Sequence, residues 1–350
     1  MKRKNLSVKK KTLNLYFTKL KDPKVKKLYK IFSKNIESYI INSKKIMVGV
    51  SGGADSLTVL FFSQCYALRH KIKLYPVIID HKLRKESTDE AKNLKYKLKK
   101  NFNINCKILS KKITKIDNNI QSHARDIRYD LLFKECNKHK IDCLLLGHHK
   151  NDLIENFFIR FLRGSGLKGL VSFEKNIINY NGITIIRPFL SISKDDLILI
   201  NKKTFGFFLE DPTNYNDKFL RSRIRKLLKN LDKEGLTFNK FYLTLKNLSK
   251  SNQVIEFFVE KNVFENSKHF EKDKKIILNQ SFFNNPDEII LRSLIQIIQN
   301  IVKKKNYPRG KKVVGLIDSL KSSKKNVKLT LSGCIFEKIR DSVIIYPENR

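Results

Sequence analysis

Ile46-Met47-Val48-Gly49-Val50-Ser51-Gly52-Gly53-Ala54-Asp55-Ser56-Leu57 is the stretch whose reading decides the fold. The apolar run Ile46 to Val50 has the length and composition of a buried strand. Ser51-Gly52-Gly53 then forces a tight turn, because glycine adopts positive φ at little cost and lets backbone approach a ligand closely. From Asp55 the pattern Leu57, Val59, Leu60, Phe61, Gln64 and Leu68 turns helical. Strand, small-residue turn and helix start together present N–H groups and a positive dipole end, which suits phosphate. The hydroxyls of Ser51 and Ser56 add donors. The loop holds no lysine and does not match GxxxxGK[ST], so it is not a Walker A loop. The plainer alternative is a strand-to-helix turn with an Asp or Ser cap.

At 350 residues the chain can bury a sizeable core and has room for two domains. Its 73 Lys+Arg against 33 Asp+Glu give a net charge of +40, a field that attracts polyanions and points to nucleic acid as partner. A Lys-, Asn- and Ile-rich coding bias is the competing explanation for part of that excess. Cys65, Cys106, Cys136, Cys143 and Cys334 form no CxxC and no metal-ligand spacing, which fits core thiols in a reducing compartment. No apolar run approaches the ~18 residues of a membrane span, and the basic N-terminus lacks the apolar region of a signal peptide. A cytoplasmic location without membrane contact is expected.

Outward from the loop, strands are expected at Lys71 to Ile79, Ile104 to Leu109 and Asp142 to Leu146, with a possible edge strand at Ile183 to Ile186. Ser87-Thr88-Asp89-Glu90 reads as a capping box opening a helix, and further helices are expected at about Ile120 to His139 and Asn151 to Leu162. Alternating strands and helices specify an α/β domain with a parallel sheet covered by helices on both faces. Ligands of such sheets gather at the carboxyl ends of the strands, where Ser51, Asp80 and Gly147-His148 fall. Beyond about Leu228 the pattern changes to long amphipathic helices, with a small hairpin at Val327 to Tyr346. The expected division is a basic N-terminal arm at 1–30, a domain carrying the loop at 31–228 and a smaller, mainly helical domain at 229–350.

Around the sheet edge, several side chains can carry chemistry. Asp80, His81 and Arg84 follow the second strand and can reach nucleotide or acceptor. His148, Asp152 and Glu155 are four and then three residues apart, which aligns them on one helix face near its N-terminus. Asp152 and Glu155 have the oxygen ligands and spacing to hold Mg²⁺ shared with substrate phosphates, and His148 can serve as base or polar contact. Acids also favour helix N-termini without any ligand. Zinc is disfavoured, because no further His or Cys lies at ligand spacing. Gly164-Ser165-Gly166-Leu167-Lys168-Gly169 matches GxGxxG literally, but a helix precedes it where the dinucleotide fingerprint needs a strand. With Arg160, Arg163 and Lys168 it reads as a basic loop over an anionic ligand. Arg125 and Arg128 lie on the long helix, as a solvated face or as contacts. Arg221 and Arg225 share a face of a basic helix start, where the dipole disfavours cations, so they suit an anionic partner.

Taken together, SGGADS, DHKLRKES, NIQSHARDIRY, GHHKNDLIEN, RFLRGSGLKGL, RPFL and EDPTNYNDKFLRSRIR resemble, in order and spacing, the tRNA(Ile)-lysidine synthetases, a branch of the ATP pyrophosphatase superfamily. The likeness is strong over about Ile46 to Arg225. It implies an adenine nucleotide alpha hydrolase-like fold and a reaction in two steps on the wobble cytidine of an isoleucine tRNA with a CAU anticodon. ATP adenylates the cytosine O2 with loss of pyrophosphate, and free L-lysine then displaces AMP at C2. On this resemblance Ser51, Gly52, Gly53, Ala54, Asp55 and Ser56 bind ATP. Asp55, His148, Asp152, Glu155, Arg221 and Arg225 form the catalytic set, with Asp152 and Glu155 the expected Mg²⁺ pair. Arg125, Arg160, Arg163, Lys168, Arg221 and Arg225 contact tRNA, and a homodimer is admitted. Three positions depart from the family pattern: Asn151 where a second acid is usual, Asn156 where Thr is usual, and Ser222 where Asn is common. Rival readings are a tRNA sulfur transferase with the same loop, a small-molecule ligase of the NAD synthetase kind, and an inactive RNA-binding protein.

Overall fold

A computed structural model describes residues 14–348, except 41–42, 83–85, 112–119, 175–176, 181, 211–219, 271–273, 303–307, 309 and 324–325. Arg84, Asn119 and the segment Asp211 to Phe219, all singled out above, lie outside the described residues. The chain divides into two compact units, Met1–Tyr242 and Leu243–Arg350.

The first unit is built on a six-stranded sheet. Its strands are β1 (Lys45–Val50), β2 (Lys73–Asp80), β3 (Lys107–Ser110), β4 (Cys143–Leu145), β5 (Ile177–Tyr180) and β6 (Ile183–Ile186), in spatial order β3-β2-β1-β4-β6-β5. All neighbours run parallel except β5, which pairs antiparallel with β6. β6 therefore lies inside the sheet and β5 forms the edge, contrary to the expectation for Ile183 to Ile186. β6 carries Ile183, Ile185 and Ile186 into the core, and a strand buried on both faces reads as a short apolar run whatever its place in the order.

Alternation along each strand separates two cores. Ile46, Val48, Val50, Ile78 and Leu145 point to one face. There they meet α1 (Pro23–Ile40), α2 (Ala54–His70), α3 (Ser87–Phe102) and α7 (Lys194–Thr204). Met47, Val77, Leu144 and Ile185 point to the other face, against Leu132 and Cys136 of α4 (Ile120–His139). Three more helices complete the unit: α5 (Lys150–Phe161), α6 (Leu167–Val171) and α8 (Leu220–Lys233).

The N-terminal arm differs from expectation over residues 14–30. Val25, Leu28, Tyr29, Phe32, Ile36 and Ile40 form one buried stripe of α1, and the Tyr16 hydroxyl donates to the Phe102 carbonyl at 2.6 Å. Interleaved lysines on the opposite face obscure that 3.6-residue period. The Ser87–Glu90 box is also replaced. Glu86 takes the N-cap position of α3, while the Ser87 and Thr88 hydroxyls donate to the Asp80 carboxylate at 2.9 and 2.7 Å.

The division between units falls after Tyr242, within α9 (Phe238–Asn266), rather than at 228. The second unit adds α10 (Asp287–Val302) and α11 (Gly310–Ser322). The expected lone hairpin is part of a five-stranded antiparallel sheet in the order β7-β8-β11-β10-β9. These are β7 (Ser267–Phe270), β8 (Lys275–Leu278), β9 (Val327–Leu331), β10 (Cys334–Ile339) and β11 (Ser342–Pro347). Glu337 and Lys338 interrupt the apolar run of β10 and hide it in the sequence, although Cys334 and Phe336 alternate inward as a half-buried strand requires.

Candidate active site

In the strand order 3-2-1-4, β1 and β4 flank the point where the connections change direction, the place where open α/β sheets bind ligands. The loop after β1 and the turn after β4 meet there. Gly52 has φ +86°, and a Cβ on it would sit 2.7 Å from Leu209 Cδ1. Its carbonyl accepts from the Leu209 N–H at 2.9 Å. Gly147 is closed in from the other side: a Cβ there would come within 2.9 Å of Ser56 N and 3.0 Å of the Asp55 carbonyl carbon. Both glycines are thus required by backbone conformation or close approach.

The loop is held from within. Ser56 Oγ accepts from the N–H and hydroxyl of Ser51, each at 3.1 Å, and donates to the Gly53 carbonyl at 3.0 Å. Gly53 occupies the N-cap of α2 and no side chain caps that helix start. The N-terminal N–H groups and dipole of α2 are therefore offered to an anion, which favours the phosphate reading over the plain capped turn.

α5 starts differently. His149, at its N-cap, accepts the Asn151 N–H on Nδ1 at 3.2 Å, and Asp152 Oδ2 accepts the His149 N–H at 3.0 Å. With Nδ1 an acceptor, neutral His149 carries its proton on Nε2. That nitrogen lies 3.6 Å from Asp55 Oδ2 and 3.5 Å from Asp152 Oδ2. One buried ring thus stands between the carboxylate of the loop and that of α5. Residue spacing selects His148 and passes over His149; the signal that finds His149 is a capping pattern, an N-cap residue followed three positions later by an acid.

Burial works against the Asp152 charge, but His149, His148 and Arg221 together hold its pKa at about 2. His148 is the opposite case. Enclosure pushes its pKa down to about 3; Asp152 opposes this, while Arg187, Arg125 and Arg128 add to it. Its Nδ1 is buried without a partner, and its ring stands edge-on to Phe173 at 5.2 Å. His81 behaves alike, with both ring nitrogens buried and unpartnered and its pKa lowered to about 4 by burial and by Arg128. Asp80 is engaged by Lys82 N–H, Ser87 and Thr88, so it shapes the start of α3 instead of facing the cleft free.

Glu155 is buried and taken by α8. Arg225 Nε donates to Oε1 at 2.6 Å and Nη2 to Oε2 at 3.3 Å. Arg221 Nε lies 3.1 Å from Oε2, off the hydrogen-bond axis and without a hydrogen-bond partner. Burial acts against the Arg225 charge, yet Glu155 outweighs it and raises its pKa. The Asp152–Glu155 pair is therefore not a ready cation site: both Glu155 oxygens face guanidiniums, and Asp152 Oδ2 is bound by His149. Among the described residues no group of three or more His, Cys, Asp or Glu is arranged to hold a metal ion. One carboxylate oxygen of the site, Asp55 Oδ1, is buried and unpartnered.

The basic residues form a track. Burial and the repulsion of Arg125 and Arg163 lower the Arg160 pKa, so these three share one neighbourhood, and Arg128 lies in the field of both Arg125 and Arg221. Arg187, which the sequence reading does not single out, is buried with its guanidinium 4.0 Å from the Phe173 ring centre and its Nε unpartnered. Lys168 lies exposed on α6. The GxGxxG stretch follows α5 and enters the five-residue α6, so no strand precedes it, as expected of a false match. The five cysteines are free and buried. Burial pushes the thiols of Cys106 and Cys136 up to about 12 and those of Cys143 and Cys334 to about 11.

Residues 21–231 match the PP-loop domain family ATP_bind_3. The tRNA(Ile)-lysidine synthase of Orientia tsutsugamushi (strain Boryong) is 32% identical over 333 residues, covering 91% of this chain and 73% of that protein. That of Wolbachia pipientis wMel is 30% identical over 322 residues, covering 91% and 74%. Among solved structures, the U34-tRNA thiolase NcsA from Methanococcus maripaludis, with its [4Fe-4S] cluster, overlays with a TM-score of 0.53 at 20% identity, covering 65% of this chain and 78% of that one, a likeness of fold alone. Uncapped phosphate loop, α5 acids and matching relatives converge: the chain belongs to the tRNA(Ile)-lysidine synthase family and carries its PP-loop ATP-binding domain.

Proposed function

We propose that this protein uses ATP to join free L-lysine to C2 of the wobble cytidine of an isoleucine tRNA with a CAU anticodon. The observation that carries this reading is the uncapped start of α2 facing a carboxylate-bearing helix across β1 and β4. In the first step the cytosine O2 attacks the α-phosphorus, and the bond from that phosphorus to the bridging oxygen breaks. Pyrophosphate leaves with the electron pair. The N–H groups at the start of α2 receive its oxygens, and the Ser51 and Ser56 hydroxyls hold the loop in shape around it.

In the second step the lysine ε-amine, having lost a proton, attacks C2. The C2–O2 bond breaks, and AMP departs carrying that oxygen. Asp55 and Asp152 attract the ammonium, with Asp152 acting as fixed charge because its pKa lies near 2. His149 cannot accept the proton while Nδ1 is engaged with Asn151. His148 offers a free Nδ1, and an approaching phosphate raises its basicity from the depressed value. Arg221 and Arg225, anchored on Glu155, clamp phosphate oxygens. The target base must be splayed out of the anticodon loop to reach this edge, along the track Arg163, Arg160, Arg125, Arg128. The second unit supplies further tRNA contacts.

Mg²⁺ travelling with the ATP phosphates would meet Asp55 Oδ1, the oxygen with no protein partner, and would neutralise phosphate charge. Radiolabelled lysine, ATP and unmodified tRNA, followed by nucleoside analysis, test the reading. Label confined to free lysine would refute it.

A further inference from the structure

The phosphate loop contains no cation. Ser51 to Ser56 offers N–H groups, hydroxyls and one carboxylate, whereas the departing pyrophosphate gathers negative charge as it leaves. A cation reaches the loop from elsewhere in the fold. Lys194, in the first turn of α7, places its Nζ 2.5 Å from Asp55 Oδ2 across 139 residues of sequence. Its side chain is 37% exposed. An ammonium has three donors, and the bond to Asp55 uses one.

The backbone under Lys194 is fixed from both halves of the site. The Lys194 N–H donates to Asn151 Oδ1 at 3.3 Å, and the Lys150 N–H donates to the Ile192 carbonyl at 2.9 Å, both tying it to the start of α5. One turn further on, Thr58 Oγ1 of α2 donates to the Leu197 carbonyl at 3.2 Å. Ser193 caps α7 by accepting the Asp196 N–H at 3.2 Å, so that helix start is already satisfied. What α7 brings to the cleft is a flexible four-carbon stem on a rigid base.

Resting on the function proposed above, we infer that Lys194 is the cation of the pyrophosphate site. It keeps one donor on Asp55 and directs the others at the β- and γ-phosphate oxygens, where charge accumulates as the bond to the α-phosphorus breaks. Asn151 is a positioning residue: its amide oxygen takes the Lys194 N–H and brings no negative charge beside the ammonium.

The test is single-turnover pyrophosphate release with ATP and tRNA, together with inhibition by added pyrophosphate. Lys194→Met should slow release ~10²-fold, the scale of losing one positioned electrostatic group, and weaken pyrophosphate inhibition about tenfold. Lys194→Arg should restore most of both, and Asn151→Ala should fall between wild type and Lys194→Met. Thermal melting monitors folding, and Lys194→Gln replaces the methionine variant if that one fails to fold. Wild-type release and wild-type pyrophosphate inhibition in a folded Lys194 variant overturn the assignment. Wild-type protein that releases no pyrophosphate overturns the functional reading itself, a separate result.

Discussion

The two units treat their buried polar groups in opposite ways. In the second unit, Asn262 of α9 donates to Ser293 Oγ at 3.2 Å and accepts from Asn266 and Asn285 at 2.9 Å each. Arg292 of α10 donates to Glu288 at 2.6 Å and to Asn252 at 2.7 Å. Among the described residues, every buried side-chain atom without a hydrogen-bond partner lies in the first unit; Asp55, His81, His148 and Arg187 beside the strand ends and Arg221 on α8 supply six of the eleven, and the other five lie on α1, α2 and α7. Burying such groups unpaired costs stability. The second unit satisfies its buried polar atoms, whereas more than half of those left open in the first gather around the carboxyl ends of its strands, where open α/β sheets bind ligands.

The sharpest way to break this contrast is at Asp55. Asp55→Asn should lower turnover by ~10²- to 10³-fold, measured as lysine incorporation, with a melting temperature close to wild type. A large loss of stability would mean that the carboxylate is structural, as in the second unit. The converse holds for Asn262→Ala, which removes one hydrogen bond each from Ser293, Asn266 and Asn285. It should cost about 2 kcal/mol in denaturant unfolding and leave turnover per folded molecule unchanged.

A smaller effect is expected along the arginine track. Arg160→Ala with Arg163→Ala should weaken tRNA binding about tenfold and flatten its salt dependence by roughly one unit of slope for each phosphate left without its guanidinium. A slope equal to wild type would place these guanidiniums in solvent.

The smallest effect concerns pH. His81 and His148 have pKa values lowered from 6.5 to about 4 and about 3, so between these values and 6.5 the unfolded chain binds more protons than the folded one. Their contribution is fully present above about pH 6.5 and is lost as pH falls toward 4 and then 3. Melting temperature should fall over that window, and His81→Asn with His148→Asn should flatten the fall. An unaltered curve would show that acid lability arises elsewhere.

What can be read from sequence is whatever a local pattern encodes. The loop from Ile46 to Ser56 combines strand composition, a glycine turn and a helix start within a dozen residues, and the structure realises each. The adjacent histidines are harder, since spacing favours His148 while the capping interactions of α5 select His149 for the bridge between Asp55 and Asp152. Glu155 reads as a metal ligand with Asp152 because the two are three residues apart. Its partners, Arg221 and Arg225, arrive from a helix 66 and 70 positions later, beyond any periodicity. Lys194 is hidden for the same reason, and α1 because its lysines mask its apolar stripe.

Gly147 carries a consequence for how such a site can change. Backbone atoms of the turn after β4 rest directly on backbone atoms at the start of α2, so the spacing between the nucleotide half and the acceptor half is set by atomic radii, without a rotamer in between. It works as a fixed gauge. A side chain at this position, even the methyl of alanine, would force the two halves apart, while side chains around them can be exchanged without altering the separation. Altered acceptor preference in this scaffold should therefore arise by replacing groups that line the cleft, with the reach from phosphate to acceptor left constant.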